Sequence, residues 1–539
     1  MVYKTIMIGY YPTATPASFE KLFKNIQDYL VKYSGFVDTV FTLVPGMSVK
    51  VPEQFAAEFI DIMKRLPDVE SAYEEVEYFL NSYGSYQSYV MAPAPELIPW
   101  GIEYVNAPAV HAAGNRGAGV KVCIIDTGID YTHPDLKANF KGGYNAIDDT
   151  NDPVDEHGHG THVAGTVGAN GRIIGVAPAV SIYSAKVFGK GNSTSTTIII
   201  KGVQWAVDNG MNIISMSLGG PSSDPLLKTA CDNAYAVGVL IIASAGNSGS
   251  EGAACGTNTI GYPALYDSVI AVTAVQCDGN LAYFSSRGSK AEITAPGVYV
   301  YSTFFIPWGP SKLKYRTWSG TSMSCPHISG CAALVWAANP SFTNVQVRQA
   351  IDRGATDLGG AGRDGCFGFG LIDAYAASYN TIPRGLPPTP TQTHSVCGKD
   401  GCISGICGAT LADECNPDTL CWYCNDLGML KICDLNPNIG TYKSADECVK
   451  TCKGYAWGEC RETAGHLHCW PVSRDDPGAI PYDKCKLECE GVTKKYSCTG
   501  APDYFCEEDK YGDYASLEEC RAVCKEAECT PLGCGLSLT

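Results

Sequence analysis

The sequence predicts an α/β fold: a parallel sheet sandwiched by helices, preceded by a small α+β unit and followed by a disulfide-rich tail. Three observations predict it. Between about 95 and 380, short β-branched runs (VKVCIID, SIYSAKV, NIISMSL, VLIIASAG, SVIAVTAV) alternate with helical segments. Such near-continuous apolar strands belong to parallel sheets covered on both faces. Ahead of them the apolar pattern changes period in the order β-α-β-β-α-β. Behind them, nineteen of the 26 cysteines fall in residues 397–539, the density of a secreted disulfide scaffold.

In the first unit, residues 1–90, an apolar run over 5–10 predicts a strand. Phe19, Leu22, Phe23, Ile26 and Leu30 then recur at helical spacing. Two strands, 41–44 and 47–51, are predicted around the Pro45-Gly46 turn. A second helix starts at Pro52, a residue suited to a first helical turn, and carries Phe55, Phe59, Ile62 and Met63 on one face. The last strand is predicted over 69–78. Residues 81–89, rich in Tyr, Ser and Gly, lose periodicity and read as exposed and cleavable. The central domain is expected over 91–380, and the proline-rich stretch 381–396 reads as a linker.

The tail, 397–539, repeats itself. Cys424, Cys433, Cys448 and Cys452 are followed by Cys460, Cys469, Cys485 and Cys489, then by Cys498, Cys506, Cys520 and Cys524. The last two of each set are four apart, one above the other on a helix face. Ser444 with Glu447 and Ser516 with Glu519 fit capping boxes that start such helices. Cys421-x-x-Cys424 has a metal-like spacing, yet three four-cysteine units fit two disulfides each better than zinc.

Composition narrows the function classes. The chain has 539 residues, is 45% hydrophobic and 18% charged, and has a mean hydropathy of −0.04. A wholly disordered chain is thereby excluded, and no run approaches the roughly 18 apolar residues of a spanning helix. A net charge of −17 argues against nucleic acid or an anionic membrane as partner. The opening MVYKTIMIGYY lacks an apolar core of secretory-signal length. Because the tail would be unstable with reduced thiols, a leader removed upstream and an extracellular setting are expected.

Three segments carry chemistry. VCIIDTGIDYTHPDL ends an apolar strand on Asp126, HGHGTHVAGT opens a small-residue helix at His159, and SGTSMSCPHISGCAAL opens another near Ser322. Singly, each has a plain structural reading as turn, structural histidine or helix cap. Together, a strand-end Asp, a helix-start His and a helix-start Ser can converge at the carboxyl edge of a parallel sheet. There a base can take the serine proton and a carboxylate can hold the base in the right tautomer. In this order and with these motifs, the chain resembles the subtilisin-type serine proteases over about 95–378, with CFGFGLIDAYAA similar to their closing motif.

The resemblance implies a subtilisin-like catalytic domain, a secreted endopeptidase made as a zymogen, and an inhibitory propeptide in residues 1–90. It implies Asp126, His159 and Ser322 as the triad, with His162 structural. Asn247 in ASAGNSG would be the oxyanion-hole side chain beside the Ser322 N–H. Ser217, Leu218 and Gly219 form an edge that could pair with an extended substrate, Ala245 and Gly246 a second wall, and Gly261 the floor of the first pocket. A glycine floor with no acidic residue nearby predicts broad specificity and cleavage after large apolar or aromatic residues. Autocleavage is expected between 83 and 95, after Tyr86, Tyr89 or Met91.

No cofactor is expected for catalysis. Structural Ca²⁺ is considered at Asp149, Asp152 and Asp155 in the acidic stretch before His159, the alternative being a solvated acidic loop. The short GANGRIIGVAP loop leaves Asp135, which matches a family calcium ligand, without its usual partners. Cys325 reads as a packed residue rather than a nucleophile, and Asn192 heads a glycosylation sequon. Expected partners are protein or peptide substrates and the chain's own propeptide, with a monomeric enzyme and a tail that could bind glycan, matrix or protein. The competing reading is a catalytically silent secreted binding protein on a protease fold.

Overall fold

The computed structural model describes residues 2–11, 16–81, 83–87, 97–305 and 315–386, and short strands within 397–508. The N-terminal unit is a four-stranded antiparallel sheet of β1 (Tyr3–Tyr10), β2 (Phe36–Val40), β3 (Gly46–Pro52) and β4 (Val69–Glu74), in the order β2-β3-β1-β4. Helices α1 (Pro16–Lys32) and α2 (Ala56–Met63) cover one face. The strand alternation decides which face: Ile6 and Ile8 pack with Leu22, Ile26, Phe59 and Met63, whereas Met7 points the other way.

Two sequence expectations shift. The second strand lies at 36–40 rather than 41–44, because Phe41 and Val44 leave the sheet and are buried against the central domain. The run predicted as one strand over 69–78 breaks after Glu74, and β5 (Glu77–Leu80) departs from the N-terminal sheet altogether.

The central domain carries a nine-stranded sheet. Its strands are β7 (Lys121–Asp126), β8 (Phe140–Asn145), β9 (Ser181–Lys186), β11 (Ile213–Met216), β13 (Leu240–Ser244), β14 (Val269–Val275), β15 (Ile293–Pro296), β18 (Ala355–Thr356) and β19 (Leu371–Ile372). The order is β18-β19-β15-β14-β13-β11-β7-β9-β8, parallel except for β18. Val122 and Ile124 point into one core with α3 (His159–Gly168), α6 (Thr321–Ala338) and α7 (Asn344–Arg353). Cys123 and Ile125 point into the other with α4 (Thr196–Asp208) and α5 (Pro225–Ala236). Each fully buried aliphatic side chain there contributes about 1.5–3 kcal/mol. Between β7 and β11 the chain order reverses direction, the place where such sheets open a crevice at their carboxyl ends.

The N-terminal unit docks on the second core. Met7, Phe41, Val44 and Tyr78 join the side chains of α4 and α5. Polar groups register the two: Asp224 caps α5 by accepting from Leu226 N and Leu227 N, and also accepts from Tyr73 Oη at 2.8 Å and Thr196 Oγ1 at 2.9 Å. Glu75 accepts from Thr197 N at 2.7 Å in the first turn of α4, where a carboxylate suits the helix dipole.

Cys255 and Cys366 form a disulfide across 111 residues, a closure of the kind that stabilises by about 4–5 kcal/mol in the chain-entropy account. Cys277 is also disulfide-bonded, and Cys123, Cys231, Cys325 and Cys331 are buried thiols. In the tail, antiparallel hairpins set Cys424 opposite Cys433, Cys460 opposite Cys469 and Cys498 opposite Cys506. The expected cysteine-bearing helices with their capping boxes lie outside the described residues, as does most of the linker. No helix among the described residues is long and apolar enough to cross a membrane.

Two fully buried histidines make the fold acid-sensitive. Burial pushes His162 down to about 3 and His327 down to about 4, so both are neutral in the folded state. The unfolded chain takes up their protons first, near pH 6.5. Stability is therefore full above that pH and is lost as pH falls toward 4, by about 2 kcal/mol for each histidine at pH 5. Thermal unfolding of the intact Ser322→Ala protein at pH 7, 6 and 5 checks this; a midpoint that stays level contradicts it.

Candidate active site

Asp126 ends β7 and His159 opens α3, and a set of hydroxyl and carboxylate bridges fixes their approach. Thr127 Oγ1 accepts from Gly160 N at 2.8 Å and donates to Asp155 Oδ1 at 2.9 Å. Asp155 also accepts from His157 N, Gly158 N and Thr161 N at 2.9–3.0 Å and from Thr161 Oγ1 at 2.5 Å. Gly158, at φ +100°, makes the left-handed turn into the helix that a side chain would strain. Asp126 Oδ1 then lies 2.7 Å from His159 Nδ1, both side chains fully buried. Beneath them the almost fully buried Lys186 donates to Thr127 O at 2.7 Å.

Ser322 sits in the first turn of α6, where backbone amides and the helix dipole favour negative charge. Its hydroxyl donates to Ser217 O at 3.0 Å, and His159 Nε2 has no hydrogen-bond partner among the described residues. Ser217 Oγ in turn donates to Ser322 O at 2.8 Å. Asn247 is oriented by Thr321, whose N and Oγ1 both donate to its Oδ1 at 3.0 Å. Among the described residues the Asn247 amide protons meet no acceptor, and they are donors the site can use. Gly246 N donates to Thr321 Oγ1, and Gly261 N to Ala245 O, so the expected wall and floor adjoin.

The cleft holds a segment of the chain itself. β5 lies antiparallel between β10 (Ser193–Ser195) and β12 (Leu218–Gly219), pairing Tyr78 with Thr194 and Leu80 with Leu218. Leu80 N donates to Asn192 O at 3.1 Å, and Asn81 N is 3.5 Å from Ser217 O. The next group matters most: Ser322 N donates to the carbonyl oxygen of Asn81 at 3.1 Å. Beyond it, β6 (Tyr83–Gln87) pairs with β17 (Tyr315–Ser319), which in turn pairs with β16 (Val300–Thr303). Of the stretch 81–89, expected as exposed and cleavable, Asn81 thus lies against the serine and 83–87 run as paired backbone beside β17.

The carboxylates considered for calcium do not converge. Asp155 is consumed by α3 as described, Asp152 accepts from Tyr131 Oη, and Asp149 pairs with Lys201 and Tyr144. Among the described residues no three His, Cys, Asp or Glu side chains gather to hold a metal. At Asp135 the short loop supplies its own donors: Arg172 N, Ile173 N and Tyr315 Oη sit at 2.9–3.0 Å from the carboxylate.

Other nominated residues take structural places. His162 Nε2 lies 3.0–3.1 Å from Val300 O and Arg316 O. The Cys325 thiol is buried, 3.6–3.7 Å from Met216 O and Ile242 O, and burial pushes it up to about 11, far from a thiolate nucleophile. Asn192 is exposed with its Oδ1 2.9 Å from His157 Nε2, at the rim of the cleft.

Three participants escaped sequence reading. Trp318 on β17 is ringed by His157, His159, His162 and Phe304 at 5.5–6.2 Å between centroids. Ser244, the residue before the nominated Ala245-Gly246 wall, receives a hydrogen bond from Asn81 Nδ2 at 2.9 Å. Asn81 itself lay at the edge of a run read as exposed and cleavable.

Comparison with known proteins agrees with this geometry. Residues 117–370 match the model of the subtilase family. The chain is similar to subtilisin E of Bacillus subtilis (strain 168), 38% identical over 379 residues, covering 70% of this chain and 90% of that one. It is 47% identical to subtilisin DY of Bacillus licheniformis over 286 residues, 52% of this chain and 99% of the relative. An alkaline protease of Shouchella clausii is 38% identical over 341 residues, 63% and 80% of the two chains.

Proposed function

The chain belongs to the subtilase family of serine peptidases, and from that premise we propose how its residues divide the reaction. It is a serine endopeptidase acting on protein or peptide substrates. In the proposed cycle the Ser322 hydroxyl leaves Ser217 O and turns to His159 Nε2, which takes its proton as Oγ attacks the substrate carbonyl. Asp126 keeps the His159 Nδ1 proton in place and stabilises the imidazolium. Ser322 N and the Asn247 amide hold the oxyanion. His159 then protonates the leaving amine, the C–N bond breaks, and water hydrolyses the ester on Ser322.

The observation that carries this reading is the Asn81 carbonyl oxygen on Ser322 N, with β5 laid between β10 and β12. That is how a substrate backbone would lie. It supports a zymogen whose N-terminal unit blocks its own cleft until the connecting chain is cut. The cysteine-dense tail and the Cys255–Cys366 disulfide support an extracellular setting. A glycan on Asn192, if the host adds one, would stand at the cleft rim.

A fluorophosphonate probe tests the reading, since it reacts with an activated serine. Labelling confined to the processed form, at Ser322, is the expected result. A chain that is never labelled in any form would be the silent binding protein instead. Replacing Asn247 by Leu should lower kcat about 10²–10³-fold with little change in KM; this is the magnitude known for subtilisin itself. Steady-state kinetics on a peptide ester reads it, and an unaltered kcat contradicts the assignment.

A further inference from the structure

We infer that this peptidase prefers asparagine at the residue whose carbonyl is attacked, that Ser244 reads the side chain, and that its first cut is the Asn81–Ser82 bond. The inference deepens the proposed peptidase reading and rests on it. Four observations carry it. The carbonyl oxygen facing the nucleophile's own amide belongs to Asn81, not to a residue between 83 and 95. The Asn81 carboxamide points into the pocket, where its Nδ2 donates to Ser244 Oγ at 2.9 Å. Ser244 Oγ is 3.4 Å from Leu218 O, its own outlet for the hydroxyl proton, and the residue is almost fully buried. The carboxamide also lies against bare backbone: a Cβ on Gly219 would stand 2.6 Å from Nδ2.

The polarity of this relay makes it selective. With its proton directed at Leu218 O, the Ser244 oxygen faces the pocket as an acceptor, so it suits an amide donor. A leucine or phenylalanine in the same place would leave that buried oxygen without its partner, which costs more than a hydrogen bond returns. An aspartate would bring a second acceptor and a charge against a wall with no cation. The glycine floor predicted a large apolar group; the wall residue overrides that expectation because it adds a polar atom to the pocket. Upstream, Tyr78 is fully buried under Gly220 and Leu218 while Phe79 is 43% exposed.

The bond chemistry is ordinary peptide hydrolysis. Ser322 Oγ bonds to the Asn81 carbonyl carbon, its proton passes through His159 to the nitrogen of Ser82 as the Asn81–Ser82 C–N bond breaks, and water then cleaves the ester, releasing the Asn81 carboxylate and restoring the Ser322 hydroxyl.

Two measurements on the full chain test the inference. The released N-terminal fragment is weighed to locate its C-terminus, which is expected at Asn81. The processed enzyme is then given Tyr-Phe-Leu-X coumarylamides with X as Asn, Asp, Leu or Phe. Asparagine is expected to be favoured at least tenfold in kcat/KM, and Ser244→Ala to shrink the Asn-to-Leu ratio by roughly fivefold to tenfold. Fluorophosphonate labelling with equal or better cleavage after Leu or Phe overturns the inference and leaves the peptidase reading standing. A ratio that Ser244→Ala does not move, or a fragment that ends anywhere but Asn81, also overturns it. No labelling and no cleavage of any peptide ends both readings.

Discussion

Ser322→Ala leaves the chain in one piece. Intact mass measured over days should show no separation of the N-terminal unit, while thermal unfolding stays close to that of the wild-type precursor. The hydroxyl is fully buried and gives up one hydrogen bond, to Ser217 O, so the fold loses little. Chemistry loses nearly all. In subtilisin, to which this chain is related, removing the equivalent nucleophile lowers kcat about 10⁶-fold, with the residue of catalysis coming from the oxyanion hole and binding. Normal release of an N-terminal fragment by the purified variant would mean that something other than this serine makes the cut.

Asp126→Asn should cost about 10⁴-fold in kcat/KM near neutral pH, the size seen when a triad aspartate is replaced by its amide. The cause is visible in the bonding. Asp126 Oδ1 receives both the His159 Nδ1 proton, at 2.7 Å, and Thr127 N, at 2.7 Å. An amide that turns its NH₂ toward Nδ1 forces the proton onto Nε2, which can then no longer accept one from Ser322. Peptide kinetics and the rate of fluorophosphonate labelling should fall together while the unfolding midpoint changes little. Full labelling at the wild-type rate would show that the carboxylate is not part of the relay.

Five of the nine strands were legible because each is a short, mostly apolar run rich in β-branched residues, and they stand where the sequence puts them. Asp126, His159 and Ser322 were legible for a related reason: each motif contains the small residues and hydroxyls that its own turn requires, as Thr127 and Gly158 show. What escaped notice is what depends on partners remote in sequence. β5 looks like a continuation of β4 until β10 and β12, more than a hundred residues later, claim its hydrogen bonds. YRTWS has no apolar alternation, yet it pairs as β17 between β16 and β6. Asp155 resembles a metal ligand in sequence, and only the fold shows five other groups already bonded to it.

The passage of β5 and Asn81 past the serine has a kinetic consequence. The first bond offered for cleavage is tethered beside its nucleophile at an effective molarity that dilution does not touch. Maturation should therefore be first order: halving or multiplying the amount of precursor in the vessel alters how much product forms, not the half-life of conversion.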